Sequence, residues 1–279
     1  MMDGRHVGKG RPRIVAGDMN QGNPGAYRTP RSPMDRWLAI LVAFEDQDDW
    51  GVRELAAHTG LAPSVVHRVL HGMEALGLVS PGTRKGQFRV GAELARLAVL
   101  VSDRLDVRRM ARPALEQAAS LTDETVILAL YSPPRQQFWA VDAAEPEHPI
   151  RYIWESLRRW SDLHLGASGH AILAFLPEPD RERVIGTRPE AERRRLRERL
   201  AETRERGYAT SHGDRFPGAV GVAAPVRDAA GRIAGDIIAG WPDNRTSAAK
   251  ERLVARAVVA AAKTLSADLG YRPPGGGPA

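Results

Sequence analysis

The chain has 279 residues, 43% hydrophobic and 27% charged, with no cysteine. That length suggests two domains, and the missing cysteine excludes disulfides, thiolate-bound zinc and thiol catalysis. Forty basic against 34 acidic residues leave a formal charge of +6, compatible with a nucleic-acid partner but weak evidence for one. No stretch approaches the ~18 consecutive apolar residues of a membrane span, and the start of the chain lacks the apolar core of a secretory signal. A cytoplasmic protein with no membrane contact is expected.

Residues 1–31 are rich in Gly, Pro and Arg, with Arg5, Lys9, Arg11, Arg13, Arg28 and Arg31 against Asp3 and Asp18. They bury too little surface to offset their ordering entropy. They read as a disordered basic arm, either touching DNA phosphates or a spectator. From Ser32 onward Trp37, Leu38, Ile40, Leu41 and Phe44 repeat at helical spacing. A second helix is expected over 52–58, with Gly51 as N-cap, Glu54 placed to bond back, and Gly60 turning the chain. Pro63 opens a third helix running to Leu76. Val66, Val69, Leu70, Met73 and Leu76 form its apolar stripe, and Ser64, His67, Arg68 and His71 share the opposite face. Two extended pieces, 78–80 and 87–90, then flank a hairpin loop. Arg84, Lys85 and Arg89 make this ribbon basic, with no acid between residues 80 and 90.

Three short helices followed by a basic hairpin are the plan of a winged helix-turn-helix, expected over 32–91. A recognition helix must be narrow and polar outside to enter the major groove. Arg68 can donate to guanine or phosphate, and Ser64 and His67 can reach bases or phosphates. His71 and Gln87 extend this candidate surface, and Arg84 and Lys85 can clamp the DNA backbone. The competing view is that these are the solvated faces of a small helical domain.

Here the sequence resembles the IclR-type bacterial regulators. Glu54-Leu-Ala-Ala-His-Thr-Gly-Leu61, Ser64 and His67-Arg-Val-Leu70 look like their helix-turn-helix; Gly77-Leu-Val79 and Phe88-Arg-Val-Gly91 look like their wing. The likeness continues through Ala111-Arg-Pro113, Glu124-Thr-Val126, His164, Gly169-His-Ala171, Gly207-Tyr-Ala209 and Ala223-Ala-Pro-Val226, to Leu265–Gly270. It implies a GAF-like effector domain after a linker helix, a dimer or dimer of dimers, and operator binding controlled by a small metabolite. Two departures stand out: Pro63-Ser64-Val65 replaces a Lys-Ser-Thr-like run, and Phe88 replaces a tyrosine.

Leu94, Leu97, Ala98, Val101 and Leu105 are helically spaced and mark a linker helix over 92–108, its stripe facing a partner subunit or the winged domain. The effector domain is expected over 109–270, followed by a disordered tail over 271–279. Strands over 125–131 and 137–142 form one hairpin, and strands over 219–226 and 232–239 a second. Helices are expected over 169–176, over 191–206 as a solvated charged face, and over 246–269. Strands flanked by helices without a βαβ rhythm indicate an α+β domain.

The ligand site is expected where the sheet meets Gly166–His170 and the loop Tyr208–Gly221. Its candidate residues are Ala167, Ser168, Gly169, Ser211, Ala219, Gly221, Ile238 and Gly240. The resemblance aligns Ser211, Gly221, Ile238 and Gly240 with polar groups that hold small carboxylates in relatives. Three of these four lack a polar side chain, so a larger or more apolar effector than a two- or three-carbon acid is expected. Trp139, Trp154, Trp160 and Trp241 could wall the site, or serve as ordinary core.

Other classes fit less well. Gly166-Ala-Ser-Gly-His170 has the wrong spacing for a nucleophile elbow. His164, His170 and His212, with Asp162 or Asp214, lack a metal-ligand spacing. Gly218-Ala-Val-Gly221 lacks the lysine and helix of a phosphate loop. A sensor that has lost DNA binding is suggested by Pro63 and Val65 and opposed by Arg68, Arg84 and Lys85. The expectation is a non-enzymatic transcriptional regulator, a repressor, with no cofactor or metal, whose partners are double-stranded operator DNA and a small effector.

Overall fold

The computed structural model describes residues 32–103, 106–146, 148 and 155–273, which divide into two compact units between Asp106 and Val107. The basic arm, Leu105, Trp154 and residues 274–279 lie outside the described residues.

In the first unit, α1 (Pro33–Ala43) starts at Ser32. The Ser32 Oγ accepts from the Asp35 N–H at 3.1 Å, and the Asp35 carboxylate accepts from the Ser32 N–H at 2.9 Å. Such a reciprocal cap stabilises a helix by about 1 kcal/mol. A three-residue strand, β1 (Asp49–Gly51), which the sequence did not announce, precedes α2 (Val52–Thr59). Gly51 makes no side-chain cap, and Glu54 accepts instead from Gln47 Nε2 at 2.9 Å. Gly60 ends α2 at φ +69°, a left-handed conformation that glycine adopts without steric cost. Then come α3 (Pro63–Ala75), β2 (Val79–Pro81) and β3 (Gln87–Val90), with β3 antiparallel to both β1 and β2. Ile40, Leu55, Val66, Leu70 and Met73 are buried together with Trp50 and Phe88, each large side chain stabilising the unit by about 2 kcal/mol. Next, α4 (Ala92–Asp103) leaves Leu97, Val99 and Leu100 exposed.

The second unit begins with α5 (Asp106–Thr122), then β4 (Thr125–Ser132), β5 (Gln137–Ala144) and β6 (Ser161–Asp162). Three helices follow, α6 (Gly166–Leu173), α7 (Glu178–Gly186) and α8 (Glu190–Arg206). The chain ends with β7 (Ala209–His212), β8 (Ala219–Arg227), β9 (Ile233–Pro242) and α9 (Ala248–Asp268). The six strands lie in the order β6-β5-β4-β9-β8-β7, and every neighbouring pair is antiparallel, as an α+β domain requires. Strand alternation sends Val126, Leu128, Val222, Ile237, Ala239 and Trp241 toward α5 and α9. Ile127, Ala129, Phe138, Ala223 and Ile238 face the side covered by α6, with α8 packed beyond it. Past Ala223, β8 loses its partner β7. There Pro225 has no N–H, and the Arg227 N–H is taken by Ser266 Oγ at 3.0 Å, so this edge offers little to a stray strand.

At the other side of the domain, Glu124 is 1% exposed and holds both Arg245 and Lys250, the latter at 3.1 Å. Lys250 also donates to the Thr122 carbonyl at 2.6 Å, which ties the start of α9 to the end of α5. No helix among the described residues is long and apolar enough to cross a membrane. Glu124→Ala strands two partly buried cations. Chemical denaturation should show a loss of roughly 2–3 kcal/mol, below the full cost for a buried pair because both cations keep some solvent. A variant as stable as the parent would show that the cluster contributes nothing net.

Candidate functional site

The first candidate surface is the outer face of α3 with the wing. Val66, Val69, Leu70 and Met73 of the expected α3 stripe are buried, whereas Leu76, the helix C-cap, is exposed; Ser64, His67, Arg68 and His71 are exposed on the opposite face. His67 and His71 are joined Nε2 to Nε2 at 3.1 Å, and His71 Nδ1 lies 3.0 Å from Glu74 Oε2. With Nδ1 donating to the carboxylate, His71 Nε2 accepts from His67. Arg84 and Lys85 are exposed at the wing tip. Gln87 is not: it is half-buried at the wing's base opposite Gly51, and its carbonyl accepts from Gly82 to close the hairpin. Asp49 holds the wing from below, accepting the Thr83 N–H at 2.9 Å and its hydroxyl at 3.1 Å. A Cβ at Gly82 would lie 2.3 Å from the same carboxylate, so only glycine fits under that latch.

The second candidate is a narrow, half-open cleft at the start of α6. Seven of the eight expected effector residues meet there: Ala167, Ser168, Ser211, Ala219, Gly221, Ile238 and Gly240. Gly169 does not. It sits where α6 touches the preceding loop, and a Cβ on it would be 2.6 Å from the Leu163 carbonyl. Gly221 leaves the cleft open, since a Cβ there would meet Ile238 at 3.3 Å and Ala167 at 3.5 Å.

The aromatic walls are phenylalanines, not the expected tryptophans. Phe138 from β5 and Phe216 from the β7–β8 loop line the cleft beside Leu157 and Leu165. Trp139, one residue out of phase with Phe138, packs at a tilt against Trp160 with ring centres 4.7 Å apart. Trp241 is fully buried and donates to Thr246 Oγ1 at 2.9 Å.

Two charged groups escaped the sequence reading. Arg215 lines the cleft, donates to Ser161 Oγ at 2.8 Å and lies 5.7 Å from the Phe138 ring and 5.3 Å from the Phe216 ring. Its loop is fastened to α8 by the ion pair of Asp214 with Arg199. Asp236, on β9, is 0% exposed. Its Oδ2 accepts from Ser168 Oγ at 2.7 Å, while its Oδ1 is buried with no partner. Burial pushes this carboxyl up to about 7, against the opposing hydrogen bond from Ser168.

The histidines once weighed for catalysis or metal binding serve other ends. Burial holds His164 below the usual imidazole range, and Arg188 Nη1 donates to its Nε2 at 3.0 Å. Burial likewise depresses His170, whose Nε2 lies 3.0 Å from the His164 carbonyl. His212 pairs with Glu251 at 3.1 Å. Among the described residues no group of three or more His, Cys, Asp or Glu could hold a metal.

The folded protein keeps the Asp236 proton to about pH 7, whereas the unfolded chain releases it near 3.8. Its contribution to stability is therefore complete below pH ~4 and falls until pH ~7. Asp236→Asn removes that slope. In denaturation experiments the variant should gain on the parent as pH rises from about 4 to 7, by an amount on the order of a few kcal/mol. A parent–variant difference constant with pH would show that the carboxyl titrates normally.

Family models place these features in context. The IclR helix-turn-helix domain matches residues 33–81, and the bacterial transcriptional regulator IclR C-terminal domain matches residues 99–267. The HTH-type transcriptional regulator BhcR of Paracoccus denitrificans is 31% identical over 276 residues, 95% of each chain. An IclR transcriptional regulator from Silicibacter superposes with a TM-score of 0.77 at 22% identity, covering 87% of this chain and 98% of that one. An IclR homologue from Microbacterium hydrocarbonoxydans, solved with 4-hydroxybenzoate, superposes at 0.72 with 23% identity, covering 85% and 99%. With an IclR helix-turn-helix followed by the IclR C-terminal effector-binding domain, the chain belongs to the IclR family of ligand-controlled transcriptional regulators and is not an enzyme.

Proposed function

We propose that this regulator is a cytoplasmic repressor whose operator binding is governed by an acid with an apolar body. The cleft carries this reading: Arg215 offers one cation, while Phe138, Phe216, Leu157 and Ile238 offer flat or branched apolar walls. A carboxylate on a ring suits that combination, because guanidinium groups bind carboxylates well and the ring is desolvated. The 4-hydroxybenzoate found with the Microbacterium relative is of this class. Ala167, Ser168, Ser211, Ala219, Gly221, Ile238 and Gly240 shape the site.

In this reading the chain comprises a basic arm over 1–31, a winged domain over 32–91, a linker over 92–108, a GAF-like effector domain over 109–270 and a tail beyond it. The exposed Leu97, Val99 and Leu100 of α4 pair two copies, and a dimer or dimer of dimers results. Two α3 helices then enter major grooves about one helical turn apart. Ser64, His67, Arg68 and His71 read or position, and Arg84 and Lys85 hold the backbone. Gln87 supports the wing from its base. The effector changes operator affinity only through unequal binding to the DNA-competent and incompetent states.

Fluorescence anisotropy on the gene's own upstream DNA, with competitor DNA and rising salt, tests the DNA half. Arg68→Ala should weaken specific binding by about 1–3 kcal/mol, and Arg84→Ala with Lys85→Ala should reduce the salt slope by about two. Unchanged affinity and slope would remove these residues from the interface.

Calorimetry with benzoate tests the effector half. Arg215→Ala should weaken binding at least tenfold, Gly221→Ile should abolish it by filling the cleft, and pyruvate and glyoxylate should bind more weakly than benzoate. Tight glyoxylate binding would overturn the proposed effector class.

A further inference from the structure

Asp236 is the one fully buried acid beneath the proposed effector cleft, and it touches that cleft through a single atom. Ser168 lines the cleft and at the same time bonds Asp236 Oδ2 at 2.7 Å. A serine hydroxyl has one proton to give. While Asp236 is ionised, that proton is committed to the carboxylate, and Ser168 shows the cleft only acceptor lone pairs. When Asp236 carries a proton on Oδ2, that proton is given to Ser168 Oγ, and the serine O–H is released to point into the cleft. The neutral form also leaves the orphan Oδ1 as a carbonyl oxygen instead of a buried charge, which lowers the cost of leaving it unpaired.

The surroundings leave this choice to Asp236 itself. Its cross-strand partners are Ala129 on β4 and Pro225 on β8, neither ionisable. On α6, which covers it, the one ionisable residue is His170, bonded away to the His164 carbonyl and held neutral by burial. Tyr131, two residues beyond Ala129 on β4, has a phenol raised by its own burial. Among the described residues no cation neutralises Asp236; only burial and Ser168 act on it. Arg215 lines the cleft and bonds Ser161 Oγ.

We propose that Asp236 is a positioning residue that sets the hydrogen-bond polarity of the effector cleft through Ser168, so that an anionic effector binds together with one proton. This rests on the acid-effector reading above. Binding draws the proton from solvent onto Asp236 Oδ2, and Ser168 turns its O–H toward the ligand oxygen. An effector offering a donor in place of an anion would bind with the opposite pH dependence. The cleft thus selects for monoanionic acids and rejects neutral analogues such as the corresponding amide most strongly at low pH.

Two measurements on the full chain test this. In the free protein, infrared difference spectra should show a protonated carboxyl band that disappears as pH rises through about 7 and is missing in Asp236→Asn. Calorimetry with benzoate in buffers of different protonation enthalpy should show proton uptake on binding. Affinity should fall about tenfold per pH unit above 7. Asp236→Asn, whose amide donates permanently to Ser168, should bind benzoate with a pH-independent affinity and no proton uptake. A parent whose benzoate affinity is flat with pH, or an Asn variant that keeps the slope, overturns the proposal, as does the absence of the carboxyl band. Failure of benzoate to bind at any pH, with the band intact, overturns the effector reading and the coupling built on it, while leaving Asp236 as a titrating buried acid.

Discussion

Six strands at about 4.8 Å spacing make a sheet roughly 24 Å wide, and the helix laid directly on one face, α6, has only eight residues, about 12 Å of cover. The opposite face is sealed by the 17-residue α5 and the 21-residue α9. This mismatch in cover shapes the effector domain. Where α6 begins, the small residues Gly221 and Gly240 beside Ile238 leave a gap between the sheet and Ala167, and the cleft opens there. Glycine at 221 keeps the space free, and Gly169 lets α6 come close enough to the Leu163 carbonyl to hold its angle.

The charges follow from that opening. An arginine at the mouth can keep contact with water and with Ser161 while its face lies near two phenyl rings. An aspartate deep under α6 has no such route to solvent, so its charge is costly and its proton is retained. One site therefore joins a permanent cation, an apolar wall and a conditional donor, and the loop carrying the cation is anchored to α8 through Asp214 and Arg199. In the first unit the division of labour is simpler. The same helix that fills the core with Val66, Val69, Leu70 and Met73 shows its other side to solvent, and Asp49 sets the wing beside it.

Much of this was legible in the chain because helical and strand periods are local. The stripe on α3, the basic wing and the two hairpins all follow from spacing alone, and the family resemblance rested on motifs inside them. The positions around the cleft were legible only through that resemblance. What escaped the reading depends on contacts between distant segments. β1 is three residues long, too short for any period to show. Asp49 lies in the acidic stretch Asp46-Gln-Asp-Asp49, where nothing local marks it out, and its role appears only when Thr83 folds onto it. Gln87 has the right chemistry for DNA, yet strand pairing turns it toward the wing's base. Phe138 and Trp139 are adjacent, and the pleat decides which ring reaches the cleft. Asp236 did leave a signal: it is the one charge in the run Ile233-Ala-Gly-Asp-Ile-Ile-Ala-Gly-Trp241, where a buried strand normally holds none.

In the proposed function the cleft and the DNA-reading face share one equilibrium. Linkage makes this reciprocal: whatever factor the acid imposes on DNA affinity, DNA must impose on acid affinity. The decisive measurement is the dissociation constant for specific duplex DNA in the absence of benzoate and at saturation, paired with the benzoate constant for free and DNA-bound protein. Equal factors in the two directions are expected, with DNA affinity falling as benzoate saturates the protein. Benzoate that fills the cleft while DNA affinity stays unchanged would contradict it.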